Sequence, residues 1–366
     1  MRADALDIAG AAGLRPGLSG GAGELATLKD VARAAGLSIT QTSRALNDHS
    51  DVNEMTRKRV KAVARSLNYQ ANISARKLVT GRSGMVALVV PQSTNLAQDG
   101  LFIEGVAGLS AQFSGRGMQF VLHVARQDAP IVEVYQRLIG NGMLDGFVLF
   151  SPLDDDPRAA FLRQNDIPFV VHGRIGPAPD HAYFDIENEG IMHQMASHLT
   201  GLGHRRIALI NGRQGLSFAS ARMRGYRRAL DEAGIAFDPA LTRHGEMTEA
   251  LGLISTVEMF RLGGPRPTAI ICSHVHIAKG VYKALEALEL SIPGDVSVMA
   301  HDDHMPALRA SAFFPALSVT KAPLRDSWEP LADCLAGLLE GRPLKELQRV
   351  GPHELIIRNS TGPAPE

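Results

Sequence analysis

The sequence contains little cysteine and few aromatic residues. Its 366 residues include only two cysteines, Cys272 and Cys334, and 5% aromatic side chains with a single tryptophan. The two cysteines lie in separate apolar stretches and match neither a metal-binding motif nor a disulfide framework, so we expect a reducing cytoplasm. No apolar run approaches the roughly 18 residues of a membrane span. The composition therefore predicts no membrane protein and no disulfide-rich secreted protein.

Other familiar signals are also missing. Residues 1–25 are rich in glycine and alanine and contain no continuous apolar core, so we predict a disordered tail or a start-site extension here rather than a signal peptide. No Gly-rich phosphate loop follows a predicted strand, and no nucleophile or acid–base pair stands out. The sequence therefore predicts neither an enzyme nor a bound cofactor.

The net charge of the whole chain is zero, but positive charge is concentrated in one segment. Lys and Arg number 38, as do Asp and Glu, so the net charge is zero. The segment 27–82 holds 11 basic and 4 acidic residues, a local charge of +7, which leaves −7 for the remainder. A basic segment on an acidic body is typical of a protein that contacts nucleic acid at one end. A basic face that is merely solvated is the alternative.

Two short helices joined by a glycine turn are predicted near the start of the basic segment. Thr27 and Ser38 each precede a helical pattern, and each has a capping partner three residues later, Asp30 and Gln41. Gly36 stands between the helices, where a left-handed residue is favoured. This layout is typical of a DNA-binding helix-turn-helix, although a plain helical hairpin has the same geometry.

The exposed face of the second predicted helix favours DNA over solvent. It carries short polar groups and one arginine but no acid: Ile39, Thr40, Gln41, Ser43 and Arg44. A helix that enters a major groove needs donors for base edges and nothing that repels phosphate. A helix that is only solvated usually mixes both signs of charge.

At this point the chain resembles the DNA-binding head of the lactose-repressor family. The resemblance is carried by LKDVARAAGLSITQTSRALN, then VNEMTRKRVKAVARSLNYQAN and ARKLVTGRS, and it extends over most of residues 27–361. It implies a helix-turn-helix head at 26–71. We hypothesise that Ile39 and Thr40 contact base edges and that Arg44 contacts a base or a phosphate. The full set of candidate DNA contacts in the head is Thr27, Ser38, Ile39, Thr40, Gln41, Ser43, Arg44 and Asn47.

The resemblance implies a hinge helix in the segment 72–84 that follows the head. In the family this helix folds on operator DNA, pairs with its twin from the second subunit and enters the minor groove. The resemblance places Leu78 as the apolar wedge at a central base step, with Ala75 beside it and Asn72 near the DNA backbone. A leucine can unstack a base step because the added contact area offsets the deformation. A simple linker is the alternative.

Beyond residue 85, short apolar runs alternate with amphipathic stretches, which is typical of parallel βαβ units. Strands are predicted at 86–90, 119–124, 146–150, 169–171, 207–210, 269–272 and 296–300, and helices at 131–140, 187–202, 221–233 and 277–288. The predicted fold class is α/β: a small all-α helix-turn-helix head plus two doubly wound parallel-sheet lobes. The resemblance implies that these lobes form a periplasmic-binding-protein-like effector-binding and dimerisation body.

The resemblance also implies that the chain crosses between the lobes three times. We place the crossings near 182–186, 312–317 and 346–350. The body at 85–362 would then divide into lobe one at 85–183 and 316–347 and lobe two at 184–313 and 349–362.

Ligands of such folds bind between the lobes at the carboxyl ends of the strands. There the resemblance matches Arg222 to the family arginine that reaches the effector, and Asp302 to the aspartate after a strand of the second lobe. Both side chains form bidentate hydrogen bonds, which suits a polyhydroxylated ligand. A surface charge and a turn cap are the respective alternatives. Weaker candidates at other strand ends are Gln92, His172 and His274.

Departures from the family pattern concern the ligand. The chain has His274-Val275 where the family has Asn-Asp, and it lacks the family's Asn-Pro-aromatic-aromatic after the first strand. We therefore expect the ligand to be bound differently than in the best-known members. His172-Gly173-Arg174 resembles members that answer to glucosides and related oligosaccharides, which favours a sugar.

Histidine clusters raise the question of a metal. The run His-Asp-Asp-His at 301–304 and the pair His274 and His276 contain residues that bind transition metals well. Adjacent side chains at a strand end diverge, however, and no cysteine joins them. We therefore predict no metal site.

These observations predict a cytoplasmic, homodimeric, ligand-responsive repressor of a carbohydrate-use operon on a pseudo-palindromic operator. Effector binding would change the closure of the lobes and so bias the hinge. A regulator of the same architecture that senses a non-sugar ligand is one alternative. A solute-binding protein is another, although it would have no use for the head, and salt-dependent binding to duplex DNA separates the two classes.

Overall fold

The computed structural model describes residues 26–47, 49–69, 82–92, 100–261, 266–304 and 308–366. The chain divides into two compact units, Met1–Arg82 and Ser83–Glu366. The tail predicted at 1–25 lies outside the described residues. So do the three hinge residues Asn72, Ala75 and Leu78, and their roles stay predictions.

The head unit contains the predicted helix-turn-helix. Its helices are α1 (Leu28–Ala35), α2 (Ile39–Leu46) and α3 (Glu54–Ser66). Asp30 accepts hydrogen bonds from the N–H and the hydroxyl of Thr27 at 3.0 and 2.6 Å. At α2, the Ser38 hydroxyl oxygen accepts from the N–H of Gln41, whose side chain accepts in return from the N–H of Ser38. Gly36 adopts φ +65° between the two helices, so both predicted caps and the predicted turn are confirmed.

The core of the head is small because it contains few large side chains. Its buried members are Val31, Ala35, Ala45, Val60 and Ala64. Partly buried apolar residues surround them, and Tyr69 is one of these. A core of this size supports only a modest stability for the head by itself.

The body unit alternates strands and helices. Its strands are β1 (Met85–Pro91), β2 (Gln119–Ala125), β3 (Gly146–Leu149), β4 (Phe169–His172), β5 (Ala182–Ile186), β6 (Ile207–Asn211), β7 (Thr242–His244), β8 (Ala269–Cys272), β9 (Ser297–Asp302), β10 (Ser318–Lys321), β11 (Gln348–Gly351) and β12 (Glu354–Ile356). Its α-helices are α4 (Gly100–Gly115), α5 (Ile131–Gly140), α6 (Pro157–Gln164), α7 (Asn188–Gly201), α8 (Ser217–Glu232), α9 (Glu249–Arg261), α10 (Val275–Ala287) and α11 (Trp328–Leu339). In the part of the chain that the structure describes, none of the helices is long and apolar enough to cross a bilayer.

The strands form two sheets, each the centre of one lobe. The sheet of lobe one has the order β11-β5-β4-β3-β1-β2, and all of its paired strands are parallel. The sheet of lobe two has the order β12-β10-β9-β8-β6-β7 and is parallel except for β12 against β10. Each lobe has apolar clusters on both faces of its sheet. The predicted α/β fold class with two parallel-sheet lobes is therefore confirmed.

The crossings between the lobes need correction. β5 belongs to lobe one, so the first crossing follows Ile186 instead of lying within 182–186. β10 pairs with β9 of lobe two, so the second crossing comes after Lys321 and not at 312–317. β11 pairs with β5, which moves the third crossing beyond Gly351. The local apolar pattern of a short strand does not encode which of two sheets the strand joins. That choice, and with it the position of each crossing, depends on strand pairing.

A close approach of two helices brings two polar side chains of lobe two together. At Gly225 of α8, an added Cβ would overlap the carbonyl oxygen of Glu189 in α7. Because the helices pack this tightly, Asn188 at the start of α7 meets Arg222, which lies one turn before Gly225 on α8.

We predict that Gly225→Ala lowers the stability of the body and weakens ligand binding, since its Cβ would push α7 and α8 apart. The expected cost is about 1–3 kcal/mol in the free energy of unfolding, which urea denaturation measures. Gly201→Ala is the matched control in the same helix pair, because nothing lies within 4 Å of a Cβ at that position. Equal stability of the two variants would contradict the close packing.

Candidate functional site

The carboxyl ends of the parallel strands bring polar side chains of both lobes to one cleft. His172 ends β4 in lobe one, while Asn211 ends β6 and Asp302 ends β9 in lobe two. The lobes touch along one edge of this cleft. There the N–H of Ser217 donates to the carbonyl of Pro152 at 2.9 Å.

A second contact across the same edge joins Asp154 of lobe one to lobe two. Its N–H donates to the carbonyl of Gly215 at 2.9 Å, and its carboxylate accepts from the hydroxyl of Ser220 at 2.6 Å. Leu153 and Leu216 form an isolated antiparallel bridge beside it. These bonds hold the lobes together at the rim, so any change in closure must break or rearrange them.

Arg222 is the buried charge of the cleft. Its Nε donates to Oδ1 of Asn188 at 2.9 Å, and its Nη1 donates to the carbonyl of Ser273 at 2.6 Å. Burial lowers the pKa of Arg222 to about 10, although the charge of Asp303 opposes this change. The side chain therefore remains a cation at neutral pH, held by neutral acceptors.

Hydrogen bonds extend from Arg222 into both lobes. Asn188 donates through Nδ2 to Oδ1 of Asp185 at 3.0 Å, and Asp185 is paired with Arg174 at 2.7 Å. On the other side, the hydroxyl of Ser273 donates to Oδ1 of Asn211 at 2.6 Å. The network thus connects β5 of lobe one, at the first crossing, with β6 and β8 of lobe two.

A second cluster surrounds Asp303. Oδ2 of this aspartate lies 3.2 Å from Nε2 of His274, and Oδ1 lies 3.4 Å from Nε2 of His301. Nδ1 of His301 lies 3.1 Å from the hydroxyl oxygen of Thr320. Burial raises the pKa of the Asp303 carboxyl, but the two imidazoles outweigh burial and hold that pKa well below its usual range. Asp303 is therefore an anion.

The sequence prediction named Asp302 rather than Asp303. The structure gives Asp302 a capping role, since its Oδ1 accepts from the N–H of His304 at 2.7 Å. Side chains alternate along a strand, so His301 and Asp303 share the side opposite to Asp302. This alternation is the sequence signal that could have identified Asp303. Asn188 and Ser273 carried no such signal, because they meet Arg222 only through the tertiary structure.

His172 lies on the lobe-one side of the cleft among aromatic rings. Its ring centre is 5.3 Å from that of Phe150 and 5.9 Å from that of Trp328. Burial lowers the pKa of His172 to about 4, against the opposing charge of Asp303 in lobe two. This side of the cleft is therefore an uncharged, largely apolar wall at neutral pH.

The structure also bears on the predictions for Gln92 and for a metal site. Gln92 is exposed after β1 and borders a shallow cavity of about 420 Å³, whose other lining residues are Arg126, Gln127 and Asp128. The structure does not bring Gln92 into the Arg222 network among the described residues. Nor do the described residues contain a group of three or more His, Cys, Asp or Glu side chains arranged to hold a metal ion.

The candidate DNA contacts in the head lie mainly on the first turn of α2. Ile39 is 45% exposed. Thr40 and Gln41 are exposed beside it, and Ser43 is half-buried. Thr27 and Ser38 cap their helices, while Nδ2 of Asn47 donates to the carbonyl of Ser43 at 2.9 Å. Arg44 is exposed and forms an ion pair with Asp51 at 2.6 Å.

We predict that the free energy of unfolding falls as the pH drops from about 6.5 towards 4. The unfolded chain binds protons on its histidines below 6.5, whereas folded His172 stays neutral down to about 4. Burial also lowers the pKa of other histidines: His181, His198, His204, His301 and His353. His172→Gln should remove about 3 kcal/mol of this loss, measured by urea denaturation at several pH values. An unchanged pH dependence would contradict the buried neutral imidazole.

Sequence comparison matches both the head and the body of the chain to known protein families. Residues 27–72 match the model of bacterial regulatory proteins of the lacI family, and residues 196–361 match the periplasmic binding protein-like domain. The chain is 39% identical over 345 residues to the HTH-type transcriptional regulator AglR of Rhizobium meliloti (strain 1021), which covers 93% of this chain and 95% of that protein. It is 31% identical to CelR of Thermobifida fusca, over 91% of this chain and 98% of that protein.

Solved structures agree with these relatives. The complex of the transcriptional regulator CelR with cellobiose has a TM-score of 0.67 at 28% identity, over 92% of this chain and 99% of that chain. The lac repressor dimer bound to operator and the anti-inducer ONPF has a TM-score of 0.74 at 25% identity, over 93% and 100%. The chain therefore belongs to the LacI family of helix-turn-helix transcriptional regulators, with a periplasmic-binding-protein-like body.

Proposed function

We propose that this protein is a cytoplasmic repressor that binds operator DNA as a homodimer and releases it when a neutral sugar enters the cleft. The observation that carries the proposal is the pair of buried, opposite charges in the cleft, Arg222 and Asp303, among neutral polar groups. The chemistry of these groups selects the class of ligand that the cleft would bind.

The balance of charge in the cleft favours an uncharged ligand. The negative charge of Asp185 is already paired with Arg174, which leaves Arg222 and Asp303 to face a ligand. Because Arg222 and Asp303 together carry no net charge, neither a phosphate nor an amine on the ligand would find an unpaired opposite charge there. Both would bring a third, uncompensated charge into a buried site at high cost. Neutral hydroxyls accept from one group and donate to the other.

The shape of the lining also suits a sugar. On lobe one, His172 and Phe150 pack against the buried Trp328 and provide a largely apolar surface, while lobe two provides the hydrogen-bonding groups. Sugars have apolar ring faces and polar edges, and such sites are mostly apolar with a few placed polar groups. The solved complex of CelR with cellobiose supports this class of ligand.

Closure of the lobes offers a route from the sugar to the DNA. A ligand at Arg222 would alter hydrogen bonds that run through Asn188 to Asp185, at the first crossing between the lobes. A ligand that prefers one degree of closure shifts the population towards it. That shift would bias the hinge at 72–84, where Leu78 is the proposed minor-groove wedge. Ala75 would lie beside it, and Asn72 would lie near the DNA backbone.

The head would provide sequence recognition. Ile39 and Thr40 project from the start of α2 and would contact base edges in the major groove. Arg44 would exchange its exposed partner Asp51 for a DNA phosphate or base, because an exposed ion pair contributes little stability. Two heads related by two-fold symmetry would bind a pseudo-palindromic operator.

A thermal-shift screen tests the ligand, with cellobiose and other neutral mono- and oligosaccharides compared with phosphorylated sugars. A neutral sugar at 100 times its Kd should stabilise the protein by about 2.7 kcal/mol, and it should release operator DNA in a gel shift. Thr40→Ala is the control: it should retain the sugar response and lose about 1–3 kcal/mol of operator specificity. If only non-sugar ligands stabilise the protein, the sugar proposal is wrong. Absence of salt-dependent binding to duplex DNA would favour a solute-binding protein.

An exposed apolar surface on lobe two supports the homodimer. Phe314 is 97% exposed, and it borders a cavity of about 430 Å³. The other residues that line this cavity are Tyr282, Glu286, Leu290, Ile292 and Pro315. A large aromatic side chain beside an open apolar cavity is typical of a protein interface, and a second copy could insert its own Phe314 symmetrically.

We predict that Phe314→Asp yields a monomer, because the carboxylate would be desolvated in the interface. Sedimentation equilibrium measures the change, and operator affinity should fall with it while sugar binding persists. Met143→Asp is the control, since Met143 is a comparably apolar but separate exposed residue. A Phe314→Asp protein that remains fully dimeric would place the interface elsewhere.

A further inference from the structure

We propose that Asp51 is a specificity residue of the DNA-binding head: its carboxylate holds one edge of the Arg44 guanidinium, so that the opposite edge is presented to a guanine. This inference rests on the proposed function, because it concerns how the head recognises its operator. It assigns a positioning role to Asp51, and it assigns Arg44 a base as its partner on DNA instead of a phosphate.

The contact between Arg44 and Asp51 uses one edge of the guanidinium. Nε of Arg44 donates to Oδ1 of Asp51 at 3.3 Å, and Nη2 lies 2.6 Å from Oδ2. Two parallel contacts between a guanidinium and a carboxylate fix the plane of the arginine as well as its distance. The hydrogen bond from Arg44 also lowers the pKa of the Asp51 carboxyl, so this partner is an anion at neutral pH.

The other edge of the guanidinium is available to DNA. A guanidinium carries five N–H donors, and Asp51 engages the one on Nε and one of the two on Nη2. The remaining donors, on Nη1 and Nη2, have no hydrogen-bond partner among the described residues. Together they form the fork that pairs with O6 and N7 of guanine. The exchange of Asp51 for DNA is therefore needed only where a phosphate or base takes the Nε edge.

The fold places Asp51 beside the end of α2. The N–H of His49 donates to the carbonyl of Arg44 at 3.1 Å, and the N–H of Val52 donates to the carbonyl of His49 at 3.1 Å. These bonds turn the chain back towards α2, and Val52 then packs against the core of the head. On α2, Arg44 lies four residues after Thr40, so these two exposed side chains share one face. Asp51 is therefore held at the border of the surface that would face the base pairs.

An acid at this border lowers the affinity for DNA in general. A carboxylate near DNA repels phosphates, and here it also offsets the charge of Arg44, the basic residue of α2. Its benefit is order, since a long arginine side chain loses rotamer freedom when it binds a base. A partner that orders the side chain beforehand removes part of that cost from binding. Asp51 therefore weakens binding to any duplex while it favours the duplex that offers a guanine to Arg44.

Selection from a pool of duplexes with a randomised inverted repeat tests this on the full-length protein without added sugar. The wild type should select a guanine at one position of each half-site, and Arg44→Ala should lose the preference at that position alone. Asp51→Asn should select the same repeat but lower the preference for that guanine roughly 3- to 10-fold, because Arg44 is no longer held in place. A purely structural role of Asp51 would instead weaken binding to all duplexes alike.

Glu54→Gln is the matched control for charge. Glu54 is an exposed acid of the same head that pairs with Lys58 at 2.8 Å, so this variant removes the same unit of charge and leaves Arg44 untouched. Both variants should raise the affinity for a duplex of one fixed arbitrary sequence by a similar factor at low salt. Only Asp51→Asn should relax the guanine position. In an Arg44→Ala background, Asp51→Asn should change no base preference, which isolates the coupling within the pair.

Thermal unfolding verifies that the variants fold, as expected for a side chain that is 55% exposed. Asp51→Ser, which suits the same turn, replaces Asp51→Asn if the latter does not fold. Unchanged base preferences in the Asp51 variant, or an equal relaxation in Glu54→Gln, would overturn this inference and leave the proposed function standing. So would a selected repeat that Arg44→Ala recognises as well as the wild type does. If the wild type selects no repeat, the proposed function fails and this inference fails with it.

Discussion

The buried guanidinium of Arg222 constrains the arrangement of the body. A cation in this position must have its donors satisfied, and the chain does so with neutral oxygens of Asn188 and Ser273. Each of those residues continues the network, one towards Asp185 at the first crossing and the other towards Asn211 at the end of β6. The same bonds that stabilise the charge therefore fix the geometry of the cleft and link the two lobes.

Packing between helices makes that arrangement possible. Asn188 and Arg222 lie on different helices, and they meet because Gly225 has no side chain to separate α7 from α8. Other glycines show the same relation in the neighbouring pair: a Cβ at Gly252 or at Gly280 would overlap the backbone of the opposite helix. Lobe two is thus built around two tightly packed helix pairs, which gives the carboxyl-end edge of its sheet a rigid support.

Electrostatics then defines what the cleft can accept. In lobe one, His172 is neutral because burial lowers its pKa to about 4. In lobe two, Asp303 is an anion and Arg222 a cation, so the pair contributes no net charge. A neutral, hydrogen-bonding ligand leaves this balance intact. Closure of the lobes over such a ligand would then be governed by hydrogen bonds and by the rim contact between Asp154 and Ser220.

Local sequence determined much of this protein. The capping boxes at Thr27 and Ser38, the glycine turn and the βαβ alternation of the body depend on residues close together in the chain, so their patterns were sufficient to predict the head and the fold class. Arg222 was found through the family resemblance. Tertiary structure alone decided the strand partners of β5, β10 and β11, and with them the crossings. It also decided the meeting of Asp303 with His274 and of Arg222 with Asn188, because those contacts join residues far apart in sequence whose distances depend on how helices and sheets pack.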